Sequence, residues 1–394
     1  MLNGKTILFC KHNSICEPGI IRALDLLGHK LILPSCSFSH PDTDDAYDAV
    51  LCEEIRKNSF DLVFSVNFIP VIATVCHRLQ VPYFCWIVDS PVIQLYSHTL
   101  QYDSNYVFLF DYTLYMEFCR KNPGHIFYLP LGCDLPHYDS IIPTPQDHAN
   151  YDCDVSFVGS LYTEKSPYRA IRTQLPSYIQ GYFDGILHAQ QLVYGYNFLC
   201  DIIPPDLMET LDQLIDVSPS PGYDLDKRTL LGNLLLNPMC TEMERIHLLN
   251  SIGEHFSLDL YTQSDTSPLK NIRLRGIASS LDGMPKVFKC SKINLNLTAK
   301  GIQSGASLRI FDVLGCGGFL LSNYQSELPQ LFEVGRELVL FDSEADLLDK
   351  ISYYLHHEDE RREIAANGYQ RIRQEYSYQA RLALMLDVRH SLSI

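Results

Sequence analysis

Short apolar runs alternate with amphipathic stretches through the first third of the chain. Residues 6–10 (Thr-Ile-Leu-Phe-Cys) have the length and content of a buried strand. Over residues 18–27, Ile20, Ile21, Leu24 and Leu27 recur on one helical face, and Gly28 supplies a stop. The pattern continues with a strand over 30–34 and a helix over 45–57. The runs at 61–66 and 83–88 are almost continuously apolar, as strands covered on both faces must be. Residues 106–110 and 125–129 repeat them. Units of this kind predict a parallel, doubly wound sheet.

Residues 139–152 shift to Pro, Asp, His and Asn and read as a linker. A new strand at 154–158 ends in Gly159-Ser160. From 176 to about 237 the pattern is helical without clear strands. Alternation then resumes, with a helix over 241–255 and strands at 258–261, 272–274, 293–297, 319–321 and 337–341. The expected organisation is therefore α/β, with two Rossmann-like domains. The first spans 1–145 and the second 150–374, carrying a helical insertion at about 174–237. A last helix, about 375–394, is expected to pack back on the first domain. Two such domains facing a cleft hold ligands at the carboxyl ends of their strands.

Composition narrows the function classes. A chain of 394 residues with 46% hydrophobic and 20% charged residues has the make-up of a globular enzyme of two domains. The net charge of −16 disfavours nucleic acid and anionic membranes as partners, so any phosphate ligand must find its cations locally. No apolar run approaches the ~18 residues of a membrane span. The start Met1-Leu2-Asn3-Gly4-Lys5 lacks the features of a signal peptide, which implies a cytoplasmic protein without an integral membrane segment. Thirteen cysteines without a Cys-x-x-Cys pair read as buried thiols in a reducing compartment rather than as a zinc site.

The stretch richest in chemistry is 300–321. Lys300-Gly301-Ile302-Gln303-Ser304-Gly305-Ala306-Ser307 follows a strand. Leu308, Phe311 and Leu314 then show helical spacing, and Gly315-Cys316-Gly317-Gly318 leads into the next strand. A strand, a Gly/Ser turn and a helix form a natural anion cradle, because glycine admits the ligand and helix amides face it. Lys300 and Arg309 can supply charge, and Asp312 can accept hydrogen bonds from ribose hydroxyls. Residue types alone leave open a plain strand–helix–strand unit with Asp312 solvated and paired to Arg309.

This stretch resembles the donor-binding motif of GT-B glycosyltransferases, and most closely the CgeB-like (spore maturation) group. Lys292-Ile293-Asn294-Leu295-Asn296, Asp154-Val155-Ser156-Phe157-Val158-Gly159-Ser160 with Tyr168-Arg169, and the stretch 354–369 are similar to the same group. Trp86-Ile87-Val88-Asp89-Ser90-Pro91 and Phe110-Asp111 resemble the domain that commonly precedes it. The resemblance implies a nucleotide-diphosphate sugar, a UDP-sugar above all, as donor substrate, with no cofactor and no metal. It further implies a protein, polysaccharide or other cell-surface acceptor. Donor contacts then fall on Gly159, Ser160, Arg169, Lys300, Gln303, Ser304, Gly305, Ala306, Ser307, Arg309 and Asp312. Many retaining GT-B enzymes use two acids separated by seven residues. Here the second is Asp312 but the first position is Ser304, so a retaining outcome cannot be inherited. An inverting reaction needs a general base, and Asp89 is the candidate: it follows an apolar strand, where desolvation by Trp86 would raise its basicity. Asn67 and Asp111 stand behind it as further cleft residues. A sugar-nucleotide epimerase or hydrolase, and a non-catalytic sugar-nucleotide-binding protein, are the alternatives.

Overall fold

A computed structural model describes residues 4–214 and 221–391. The expectations for residues 1–3, for 215–220 of the helical stretch and for 392–394 of the last helix lie outside the described residues. The chain divides into two compact units, Met1–Leu135 with Ser220–Asp224 and Gln374–Ile394, and Pro136–Pro219 with Leu225–Arg373.

The first unit is a six-stranded parallel sheet of β1 (Thr6–Cys10), β2 (Lys30–Ile32), β3 (Leu62–Val66), β4 (Tyr83–Trp86), β5 (Asn105–Leu109) and β6 (Ile126–Tyr128). Its order is β2-β1-β3-β4-β5-β6. Every position of β3 and β4 is buried, which is what helices on both faces demand of central strands. The one hydroxyl in β3 is accounted for: Ser65 Oγ donates to the Asn67 carbonyl at 2.7 Å and lies 2.6 Å from Tyr83 Oη. The helix Tyr378–Ser391 belongs to this unit and sets Tyr378 edge-on to Trp86, with ring centroids 5.8 Å apart.

The second unit holds β7 (Cys153–Val158), β8 (Leu258–Tyr261), β9 (Arg273–Leu274), β10 (Ser291–Asn296), β11 (Leu320–Asn323) and β12 (Val339–Phe341). They pair in parallel in the order β12-β11-β10-β7-β8-β9. Between β7 and β8 the described residues are largely helical. The helices Ser177–Gln191, Pro205–Leu214 and Asn237–His255 enclose an apolar cluster of their own that includes Ile179, Phe183, Leu207 and Leu236. Residues 139–152 depart from the linker expectation. They contain the helix Pro145–Tyr151, opened by a reciprocal capping box in which Thr144 and Asp147 satisfy each other's backbone amides. The same Thr-Pro-x-Asp letters that suggest a linker are a helix start.

Each sheet contains one reversal of strand order. The chain goes from β1 to β2 on one side and returns to β3 on the other. In the second unit it runs outward from β7 to β8 and β9, then returns to β10 on the opposite side of β7. Ligands of open α/β sheets bind outside the carboxyl ends of the strands at such points. No helix among the described residues is long and apolar enough to cross a membrane.

Candidate functional site

In the second unit the switch point lies between β7 and β10, and polar side chains are concentrated there. Ser156 Oγ donates to Asn294 Oδ1 at 3.0 Å, which joins β7 to β10, and two residues on Asn296 Nδ2 donates to Ser322 Oγ at 2.9 Å in a second rung that joins β10 to β11. Ser307 Oγ donates to Asn296 Oδ1 at 3.2 Å and ties the turn after β10 to this rung. Ser307 is also the N-cap residue of the helix Leu308–Gly315, without a side-chain cap of its own.

Arg245 bridges the two strand ends. Its Nη1 donates to the carbonyl of Ser160, after β7, at 2.5 Å, and its Nη2 donates to the carbonyl of Leu297, after β10. The guanidinium lies over the Phe157 and Tyr162 rings at 5.4 and 4.9 Å, and its Nε makes no hydrogen bond among the described residues. Burial pulls the Arg245 pKa below the ordinary arginine range; Tyr162 and Glu244 oppose that, whereas the positive charge of Arg309 adds to it. Two guanidiniums that repel each other beside a glycine-serine turn form an arrangement an anion would relieve. The sequence reading does not single out Arg245. Its only signal is three charged residues, Glu242, Glu244 and Arg245, buried along a helix that also buries Leu248, Leu249 and Ile252.

Several residues expected at the donor site have other partners. Arg169 grips the buried Glu242 through Nε at 3.0 Å and Nη2 at 2.5 Å, so its charge serves an internal ion pair. Lys300 is buried, with Nζ 2.8 Å from Glu244 and 5.0 Å from the Tyr194 ring centroid. Both pairings have one cause: buried carboxylates on the helix Asn237–His255 need counter-charges. Ser304 Oγ donates to Glu327 Oε1 at 2.5 Å, so a carboxylate from beyond β11 stands beside the position that lacks one in sequence. Gly159 continues the β7–β8 ladder, its N–H donating to the Tyr261 carbonyl at 3.0 Å, and Ser160 Oγ donates to Glu164 at 2.8 Å. Gln303 is half-buried, and Gly305 and Ala306 are buried in the same turn.

Asp312 is buried rather than solvated. Its Oδ1 accepts from Tyr138 Oη at 2.7 Å and its Oδ2 lies 3.4 Å from Arg309 Nη1. Burial raises its pKa, with Arg309 and Tyr138 acting against the rise. Both oxygens face protein donors, and through Oδ2 Asp312 holds Arg309. That guanidinium lies against Met284 Sδ and 5.1 Å above the Phe288 ring.

In the first unit Asn67 and Asp89 come together. Asn67 follows β3 in the left-handed region at φ 57°, which asparagine tolerates better than most residues. Its Nδ2 donates to Asp89 Oδ2 at 2.7 Å, and its Oδ1 accepts from the Val88 amide at 3.0 Å. Asp89 is exposed, so the desolvation expected from Trp86 does not reach it; the indole is buried and directs Nε1 to the Leu129 carbonyl at 3.4 Å. Asp111 is fully buried and caps the helix Tyr112–Phe118, accepting from the Thr113 and Leu114 amides at 3.0 and 3.2 Å. That corrects its assignment as a cleft residue. His12 goes unnoticed in the sequence, yet its Nε2 lies 2.7 Å from the Val66 carbonyl, at the β1–β3 switch point.

Comparison with known proteins bears on the fold. Residues 235–387 match a family model described as glycosyl transferase-like. A search of curated proteins gives no match. Among solved structures, the Anabaena protein Alr3699/HepE, crystallised with UDP and glucose, is 10% identical with a TM-score of 0.54, covering 99% of each chain. A glycosyltransferase from Rickettsia africae is 11% identical with a TM-score of 0.52, covering 98% of each. The T4 phage BGT, in complex with its UDP-glucose substrate, is 9% identical with a TM-score of 0.51 and 99% coverage of both. The fold is GT-B, and the glycosyl transferase-like match covers Arg245, Lys300, Arg309 and Asp312.

Proposed function

We propose that this GT-B glycosyltransferase takes a sugar from a nucleoside diphosphate sugar, a UDP-sugar in the first instance, and transfers it with inversion to a hydroxyl acceptor on a protein, polysaccharide or other cell-surface precursor. The observation that carries the donor assignment is the Arg245 guanidinium spanning the Ser160 and Leu297 carbonyls at the sheet's switch point. A diphosphate needs cations, and in this acidic chain the buried Glu242 and Glu244 hold Arg169 and Lys300. Arg245 and Arg309 supply charge, and the amides of the turn before Leu308 supply donors. These groups stabilise the leaving diphosphate without a step that calls for a bound metal. The complexes of the Anabaena and T4 phage proteins with UDP and UDP-glucose support the choice of nucleotide.

Asp89 is the general base. Its carboxylate takes the acceptor hydroxyl proton as that oxygen bonds to the anomeric carbon, while the bond from that carbon to the diphosphate oxygen breaks. Oriented by Asn67 and open to solvent, it is available to an incoming hydroxyl.

Thermal melting with nucleotides tests the donor claim. A ligand at about 100 times its Kd adds roughly 2.7 kcal/mol of stability. UDP and UDP-glucose are expected to raise the melting temperature by a few degrees in a saturable way. A flat response to UDP-, ADP- and GDP-sugars alike would reject it. Asp312→Ala is expected to weaken UDP by on the order of tenfold through loss of Arg309 alignment, a loss of about 1.4 kcal/mol. Calorimetric titration reads this directly, and an unchanged affinity would remove Asp312 from donor binding.

A further inference from the structure

A second cluster of chemistry lies at the opposite end of the second sheet's central strands, where β7 and β10 begin. His148 and Asp152 are four residues apart, at the end of the helix Pro145–Tyr151, and His148 Nδ1 lies 2.9 Å from Asp152 Oδ1. Cys290, buried, ends the helix Gly283–Cys290. One ligand atom from each of the three lies within 4.8 Å of the other two. A cavity of about 350 Å³ opens beside them, lined also by Phe288, Ser291 and Phe319.

We propose that His148, Asp152 and Cys290 bind a zinc-class divalent cation that joins the two helices. Imidazole, carboxylate and thiolate are the donors zinc accepts in four-coordinate sites, and the cavity gives room for a water as the fourth ligand. At zinc–ligand distances of 2.0–2.3 Å the ligand atoms stand about 3.5 Å apart. Closing from 4.8 Å takes roughly an ångström, which the exposed His148 and Asp152 side chains supply by rotation. The carboxylate and thiolate together neutralise the ion. Of the cations that line the cavity, Lys292 pairs with Asp154 at 2.7 Å, Arg362 with Glu358 at 2.5 Å, and Arg361 donates to the Tyr354 carbonyl at 2.6 Å; Lys289, beside Cys290, is the charge the cation must compete with. The helix pair is already bridged further along by Lys286, 3.4 Å from Asp147. The cation would be a second bridge. Its reach into the donor site runs through the same helix, since Met284 and Phe288 support Arg309. The role is one of positioning and is separate from the proposed transfer chemistry.

The test uses the full chain, stripped with chelator and titrated with Zn2+ or Co2+. One equivalent of Co2+ should produce thiolate-to-cobalt absorption in the near ultraviolet, and Zn2+ should displace it and raise the melting temperature. Cys290→Ser should abolish that absorption, whereas Cys36→Ser, at an exposed thiol elsewhere, should leave it intact. Asp152→Asn changes an exposed side chain and spares the fold; it should weaken the cation at least about tenfold. Cobalt absorption that survives Cys290→Ser, an unchanged affinity in Asp152→Asn, or no bound ion at micromolar zinc would each overturn the site. UDP binding by the stripped chain reports on the donor reading independently.

Discussion

Asp89→Asn is expected to lower sugar transfer by about 10²–10⁴-fold while UDP affinity stays within a factor of two, because proton transfer by a positioned base contributes that much. The amide keeps the size of the carboxylate and remains within reach of Asn67, whose Nδ2 lies 2.7 Å from Oδ2 in the native protein. What it loses is the ability to accept a proton. Retained UDP affinity separates this from simple misfolding. Asn67→Ala should fall between the two, since the base persists but loses its orientation. The competing assignment is His12, at the switch point of the same sheet. If His12→Ala abolishes transfer and Asp89→Asn retains it, the base is the histidine.

The strands of both sheets were legible because a parallel strand covered on both faces must be a short apolar run, and little else in a soluble chain looks like one. Leu258–Tyr261 and Asp45–Lys57 emerge with the bounds the pattern implies. Helix starts made of polar residues were less visible. Thr144 to Asp147 has the composition of a linker, and only the reciprocal hydrogen bonds reveal a cap. The candidate site was half legible. Gly159, Ser160 and the 300–309 turn follow strands, and position after a strand can be read from sequence. Which cations are available cannot, because that depends on where buried carboxylates sit. Glu242 and Glu244 claim Arg169 and Lys300 from a helix more than fifty residues away from either. Asp111 and Asp89 illustrate the same limit. Both follow apolar strands, yet one caps a helix inside the unit and the other stands exposed.

Arg245 carries the second large expectation. Arg245→Lys keeps a positive charge but cannot span two carbonyls and present a further N–H as a planar fork does. UDP affinity should fall on the order of 10²-fold, as expected for one or two charged hydrogen bonds worth about 1.5–3 kcal/mol each. Arg245→Met should lose at least as much affinity. It should also lose about 1–3 kcal/mol of stability, because the carbonyls of Ser160 and Leu297 are left without their donor. The contrast with Arg169 is what makes the expectation specific. Arg169→Ala strands the buried Glu242 carboxylate and should destabilise the fold, yet leave UDP affinity in the remaining folded protein unchanged. Calorimetric titration with UDP, run beside thermal melting of the three variants, reads affinity and stability separately. Wild-type affinity in Arg245→Met, or a loss in Arg169→Ala as large as that in Arg245→Lys, would move the diphosphate away from the β7–β10 switch point.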